Sequence, residues 1–312
     1  MKVEYKKFAV TRTFGVELEV NATLQQEVIR DVIQQYSEKP VSVTSCWANS
    51  CKNDYWHIKF DRSCGVVGKN TDYGWEVASY IATGVKDIMH IAQIAGHIQN
   101  AGAQVNHNCG LHVHVGIPDF ETKDAGKLLA RWLKLERFVV QMLPKHRRRN
   151  QYCRLLTSFK TKLATILNPA DPEHIWLRLK PTDVGQHENR QKKVALNMVN
   201  YARCLNKYAD DGRKTVELRL PEGTLSEHEV KNWVRFFLLF VENSKQGEMP
   251  SDLGPIFDMD TFFAYLGLGS KSSFYLLSQG MRETKLWILG RWMEHGAPIL
   301  ASEARKRCKM ML

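Results

Sequence analysis

The sequence has no run of about 18 uninterrupted apolar residues, the length that a membrane-crossing helix needs. Residues 1–20 lack an apolar stretch followed by a small-residue cleavage site, so the expectation is a soluble, unexported, cytoplasmic chain with no membrane partner. No CxxC pair occurs. The seven cysteines, Cys46, Cys51, Cys64, Cys109, Cys153, Cys204 and Cys308, form an odd, scattered set that suits reduced thiols better than a disulfide framework. Cys46, Cys51 and Cys64 could hold zinc, but their irregular spacing argues against it. Internal repeats, low-complexity segments and a glycine-rich phosphate loop are missing too.

What is present is enough apolar material for a substantial core, 44% of 312 residues. Lys and Arg number 44 against 33 Asp and Glu, a formal net charge of +11. Such a surface attracts nucleotides, nucleic acid or an acidic substrate, and charge alone does not choose among them. Part of the excess sits in the run Lys145, His146, Arg147, Arg148, Arg149 and in the tail from Arg305 to Lys309, which read most simply as a solvated face and a solvated tail. The turn-rich stretch from Lys245 to Pro255 marks a boundary. It suggests a main domain over 1–250 and a helical extension over 251–312 packed on it.

Periodicity predicts strands at Phe14–Val20, Trp56–Asp61, Trp75–Ser79, Leu111–Val115, Trp176–Lys180 and Thr215–Leu220. Helices are expected at Leu24–Tyr36, with Leu24, Val28, Val32 and Tyr36 as the apolar face, and at Val85–Asn100 and Asp124–Leu143. An irregular segment follows the first of these, and a mixed apolar segment runs from Val194 to Tyr201. A further helix begins at Ser226, where Glu229 three residues on forms a capping box, and short helices are expected at Phe262–Leu266 and Lys285–Lys306.

Successive strand side chains point to opposite faces, so each strand can be split in two. Phe14, Val16, Leu18 and Val20 oppose Gly15, Glu17 and Glu19, and Trp75 and Val77 oppose Gly74, Glu76 and Ala78. Leu111, Val113 and Val115 oppose His112 and His114, and Val216, Leu218 and Leu220 oppose Glu217 and Arg219. Seen alone, Glu-x-Glu in a strand is usually a solvent-facing pair and Glu-x-Arg a cross-strand ion pair. Four segments with one apolar face and one face of carboxylate, imidazole and guanidinium groups are harder to dismiss. Gathered on one sheet, Glu17, Glu19, Glu76 and Glu217 would raise each other's pKa unless cations sat between them, and hard oxygen donors favour Mg2+ or Mn2+.

These residues resemble the putative amidoligase family, a branch of the glutamine-synthetase-like carboxylate-amine ligases. The matching segments are FGVELEV at 14–20, DRSCG at 61–65, GWEVAS at 74–79, NCGLHVHVG at 108–116 and KTVELRLPEGTLS at 214–226, in family order. The resemblance implies an α+β protein with a glutamine-synthetase-like catalytic fold, a curved, mainly antiparallel sheet with helices on its outer face, and residues 1–250 as the catalytic domain. It implies that Glu19 and Glu76 hold a metal ion on the acceptor side and that Glu17, His112 and Glu217 hold the ion bridging ATP phosphates. His114 and Arg219 would face those phosphates, Arg147 would join them as a nucleotide-binding residue, and Asn197 lies in an ALNM segment that also matches. Asp61 would orient or deprotonate the amine, although an Asp opening a turn caps it equally well.

The implied reaction is ATP-dependent amide or peptide bond formation from a carboxylate and an amine through an acyl phosphate. The basic balance leaves nucleic acid or a modified nucleobase open as acceptor, and similar ligases often form homo-oligomers. Leu218, where an aromatic is common, and the stretch Thr182–Lys193 depart from the family pattern. Two rivals remain: a metal-dependent nuclease or phosphodiesterase, and a non-catalytic nucleic-acid-binding protein. The second fits poorly, since phosphate contacts want Lys and Arg on the binding face.

Overall fold

A computed structural model describes residues 10–44, 53–65, 73–157, 193–205, 214–256, 258–269, 274–275 and 277–311. The described residues fall into two compact units, one of Val10–Val115 with Leu220–Arg235, the other of Gly116–Arg219 with Phe236–Leu312.

In the first unit the alternating segments become strands β1 (Phe14–Asn21), β3 (Trp56–Asp61), β4 (Gly74–Ala78) and β5 (Leu111–Gly116). They are joined by β2 (Val41–Thr44) in the order β2-β3-β4-β1-β5. All neighbours run antiparallel except β2 and β3, which are parallel, so the sheet is mixed. Val16, Leu18, Val20, Ile58, Val77, Leu111, Val113 and Val115 are buried, as the two-faced pattern requires. Helix α1 (Gln26–Tyr36) packs against α2 (Gly84–Asn100), which buries Ile88, Ile91, Ile94 and Ile98.

Two expectations fail here. Helix α1 buries Ile29 and Ile33, not the face named from the sequence; Val28 is 40% and Tyr36 47% exposed. Leu24 precedes the helix, where its carbonyl accepts from the Trp75 indole at 2.9 Å, and Tyr36 instead stacks on His97 with ring centroids 3.6 Å apart. The two candidate stripes lie one residue, about 100°, apart on the helix, and spacing alone does not separate them. The segment after Tyr36 was expected to be irregular, but four of its residues pair as β2 through backbone bonds that leave little trace in composition.

In the second unit α3 (Thr122–Val140) starts from a reciprocal capping box between Glu121 and Asp124, which the sequence reading missed because Glu is an unusual cap. The short strand β6 (Leu196–Asn197) leads through α4 (Val199–Leu205) to β7 (Thr215–Leu218), antiparallel to it. Helix α5 (Glu227–Gln246) opens as expected, the Glu229 N–H donating to Ser226 Oγ at 3.5 Å, and its residues from Phe236 belong to this unit. Helices α6 (Met259–Tyr265), α7 (Gln279–His295) and α8 (Pro298–Met311) follow. Its core is aromatic: Phe262 and Trp292 lie 4.9 Å apart, Phe138 and Trp292 5.6 Å, Trp132 and Phe240 5.4 Å.

Seven strands and eight α-helices among the described residues make the chain α+β. Among them, no helix is long and apolar enough to cross a membrane. The expected strand at 176–180 lies outside the described residues, as does the unaligned stretch up to residue 192.

The basic run is not one solvated face. Lys145, His146 and Arg149 are exposed, but Arg147 is buried and donates to the Arg219 carbonyl at 2.9 Å. Arg148 donates to the carbonyls of Leu143, at 2.9 Å, and His295. Guanidinium groups carry several donors in a fixed fork, so two of this run are spent on backbone carbonyls.

Candidate functional site

The β-ladders of the first unit bring five of the expected residues onto neighbouring strands. Glu17 on β1 faces His112 on β5, Gly15 faces His114, Glu19 faces Glu76 on β4, and Glu76 faces Lys59 on β3. Alternation keeps all of them off the apolar side. His112 Nδ1 lies 3.0 Å from Glu17 Oε2, and its Nε2 lies 3.4 Å from Glu19 Oε1. His114 Nε2 lies 3.1 Å from Glu17 Oε1, so each oxygen of Glu17 meets one imidazole. The second oxygen of Glu19 accepts from the Gly110 N–H at 2.6 Å, and Lys59 Nζ lies 3.3 Å from Glu76 Oε1.

Burial pushes the Glu17 carboxyl upward, but His114 and His112 outweigh it and hold the group well below the usual carboxylate range. Glu76 goes the other way. Burial and the nearby Glu17 charge push it up to about 7, and Lys59 offsets only part of that. The two carboxylates therefore differ because one has two imidazoles and the other a single ammonium.

Asp61 ends β3 and caps the turn that follows, Oδ1 accepting from the Ser63 N–H at 2.7 Å. The turn is held from outside: Asn106 Nδ2 donates to the Cys64 carbonyl at 2.6 Å and Asn108 Nδ2 to the Gly65 carbonyl at 2.7 Å. The neighbouring Cys109, burial and the charges of Glu19 and Asp61 all push the Cys64 thiol far up. A side chain at Gly74 would put its Cβ 2.2 Å from the Val20 carbonyl oxygen and 2.4 Å from Cys64 Cβ.

In the second unit Glu217 faces Asn197 across the β6–β7 pair and accepts from its Nδ2 at 2.6 Å. Arg219 Nη1 donates to the other Glu217 oxygen. The Arg219 backbone is fixed at both ends, its N–H donating to the Ala195 carbonyl at 2.9 Å and its carbonyl accepting from Arg147. Glu217 thus links Asn197 and Arg219 through their side chains, and Arg147 joins them through the Arg219 backbone carbonyl.

A family model described as "Putative amidoligase enzyme" matches residues 10–241. The chain belongs to that family. No curated protein matches it. For this amidoligase-family chain the matched span contains every site residue named from the sequence and ends inside α5, so α6 to α8 lie beyond it.

Three participants in the amidoligase-family site escaped the sequence reading. Lys59 lies on the strand expected at 56–61, but its ion pair with Glu76 was not foreseen. Cys64 was weighed only in a zinc set with Cys46 and Cys51, and its place beside Glu19 and Asp61 was not foreseen. The Gly110 N–H has no signature in a sequence, since every non-proline residue carries one.

Proposed function

We propose that this chain is an ATP-dependent carboxylate-amine ligase with a glutamine-synthetase-like catalytic architecture. The observation that carries the reading is Glu17, bracketed by His112 and His114 and two residues along β1 from Glu19, which faces Glu76. The protein's own cations, two imidazoles and Lys59, sit against carboxylate oxygens there, which is where hard divalent ions would exchange with them. Oxygen donors with a single imidazole suit Mg2+ or Mn2+. We assign Glu17, Glu19, Glu76 and His112 as ligands and, by the resemblance alone, Glu217. When bound, such ions would offset the negative charge of ATP phosphates.

The remaining roles belong to the chain's own groups. Arg219, its backbone held at both ends, is assigned to stabilise charge on the transferred phosphoryl group, with His114 facing the phosphates. Arg147 supports Arg219 from behind. The substrate carboxylate oxygen attacks the γ-phosphorus and ADP leaves; the amine then attacks the acyl carbon and phosphate leaves. Asp61 is assigned to orient the amine and take its proton. That the five described cysteines are thiols, not disulfides, supports a reducing, cytoplasmic setting.

The test is ADP release with Mn2+ and ATP across a panel of carboxylic acids and amines, amino acids and carboxylated nucleobases included. Release that needs an acid, together with hydroxamate formation when hydroxylamine replaces the amine, is the expected result. Cleavage of nucleic acid without ATP, in the same buffers, would replace the ligase with a nuclease.

A further inference from the structure

A second set of ligand atoms converges at the end of β3. One carboxylate oxygen of Glu19, one of Asp61 and the thiol of Cys64 all lie within 4.8 Å of one another. We propose that these three residues form a binding site for a thiophilic divalent cation of the Zn2+ class, different in chemistry from the hard-ion positions assigned above.

Ligands of one tetrahedral Zn2+ stand about 2.0–2.3 Å from it, so donors gathered this closely need a side-chain adjustment of less than about 1 Å to share an ion. Cys64 is fully buried and Glu19 nearly so. Two carboxylates and a thiol collected away from water repel one another once ionised, and a cation between them removes that cost. The carboxylates are already aimed, because backbone N–H groups of Gly110 and Ser63 each hold one oxygen, at 2.6 and 2.7 Å. Outer bonds of this kind set the direction of a metal ligand.

Sulfur decides the class of ion. Magnesium and manganese prefer carboxylate, carbonyl and water, while thiolate selects zinc-like ions. A second sulfur-bearing residue adjoins the turn, Cys109 Sγ lying 3.9 Å from the Cys64 carbonyl oxygen. The backbone makes room for both residues. A Cβ at Gly74 would meet Cys64 Cβ at 2.4 Å, and one at Gly223 would meet Cys109 Cβ at 2.5 Å. Any side chain at either glycine would dislodge a sulfur-bearing residue.

Three protein ligands would leave a fourth tetrahedral position for water, and Asp61 is the least buried of the three. On binding, the Cys64 thiol passes its proton to solvent and coordinates as thiolate. An ion there also engages Asp61, which then cannot take a proton from an amine; only this consequence rests on the ligase reading. A zinc-class ion is thereby an inhibitor of the reaction that magnesium supports.

The experiment uses the full chain, reduced and stripped of metal, titrated with Co2+ in excess Mg2+. The expected result is thiolate-to-cobalt charge-transfer absorption that saturates near one equivalent. Cys64→Ser should abolish it and Asp61→Asn should weaken Co2+ binding at least about tenfold, with thermal melts confirming both variants are folded. Zinc-edge X-ray absorption of the unmodified protein needs no variant, and a shell containing sulfur is expected. A shell of oxygen and nitrogen alone, or a cobalt band unchanged by Cys64→Ser, overturns the site. ADP release measured in Mg2+ before any Co2+ is added separates the two ideas: release before addition with no band on addition removes only the thiophilic site, and a band on addition with no release beforehand removes only the ligase.

Discussion

His112 stands across the β1–β5 ladder from Glu17 and presents a nitrogen to each of two carboxylates, Nδ1 to Glu17 at 3.0 Å and Nε2 to Glu19 at 3.4 Å. Only the imidazolium form donates from both nitrogens. Glu17→Gln removes the closer of these two partners and the carboxylate that lies 3.1 Å from His114 Nε2. Mn2+ binding, followed by electron paramagnetic resonance, should weaken at least about tenfold.

The same variant has a signed effect on stability. The folded-state pKa of Glu17 lies below its ordinary value, so its contribution is present above the ordinary carboxylate range and is lost as pH falls through the folded value. Melting curves of Glu17→Gln should fall below those of the parent at pH 7 and converge with them in acid.

Glu76 has the opposite sign. Its folded pKa is raised from 4.5 to about 7, so the ion-free protein gains stability below the ordinary value and loses it as pH rises through about 7. Glu76→Gln should remove that slope, which is of the order of 3 kcal/mol between pH 4.5 and 7. Calorimetry of Mn2+ binding near pH 6.5 in buffers of different ionisation enthalpy should register proton release for the parent that diminishes in Glu76→Gln.

Arg147 and Arg149 are near neighbours in the sequence with different fates. Arg147→Ala leaves the Arg219 carbonyl without a buried donor and should cost about 2–4 kcal/mol in denaturant unfolding, whereas exposed Arg149→Ala should stay within about 0.5 kcal/mol. Equal costs for the two would remove the support assigned to Arg147.

Gly74→Ala would drive a methyl group into the Val20 carbonyl and Cys64 Cβ at once. Backbone on one side and a buried residue on the other leave nothing soft to yield. A loss of about 2–4 kcal/mol is expected, with the turn at Asp61 losing protection in hydrogen exchange before the rest of the sheet.

Strand faces were readable because a period of two is unambiguous over five or six residues: the alternation in FGVELEV and LHVHVG placed Glu17, Glu19, His112 and His114 on one side before any coordinates. The capping of α5 by Ser226 was readable for a similar reason, since a local bond has a local signature. Helix α1 was not, because two stripes one residue apart satisfy the same spacing and only packing against α2 favours Ile29 and Ile33. The partners that finish the site, Lys59 on Glu76 and Gly110 on Glu19, depend on which strands become neighbours. Arg147 had only an implied nucleotide-binding role, because sequence carries no depth and does not show its side chain buried against the Arg219 carbonyl.

The Lys59–Glu76 pair means that the resting patch already carries a counter-ion of its own. Loading a divalent ion at Glu76 is then an exchange, in which an ammonium is expelled as a metal arrives. The displaced ammonium, on a four-carbon stem beside the new ion, would then meet the anion that comes with it. Metal uptake and the capture of a negatively charged group would in that case be two halves of a single event.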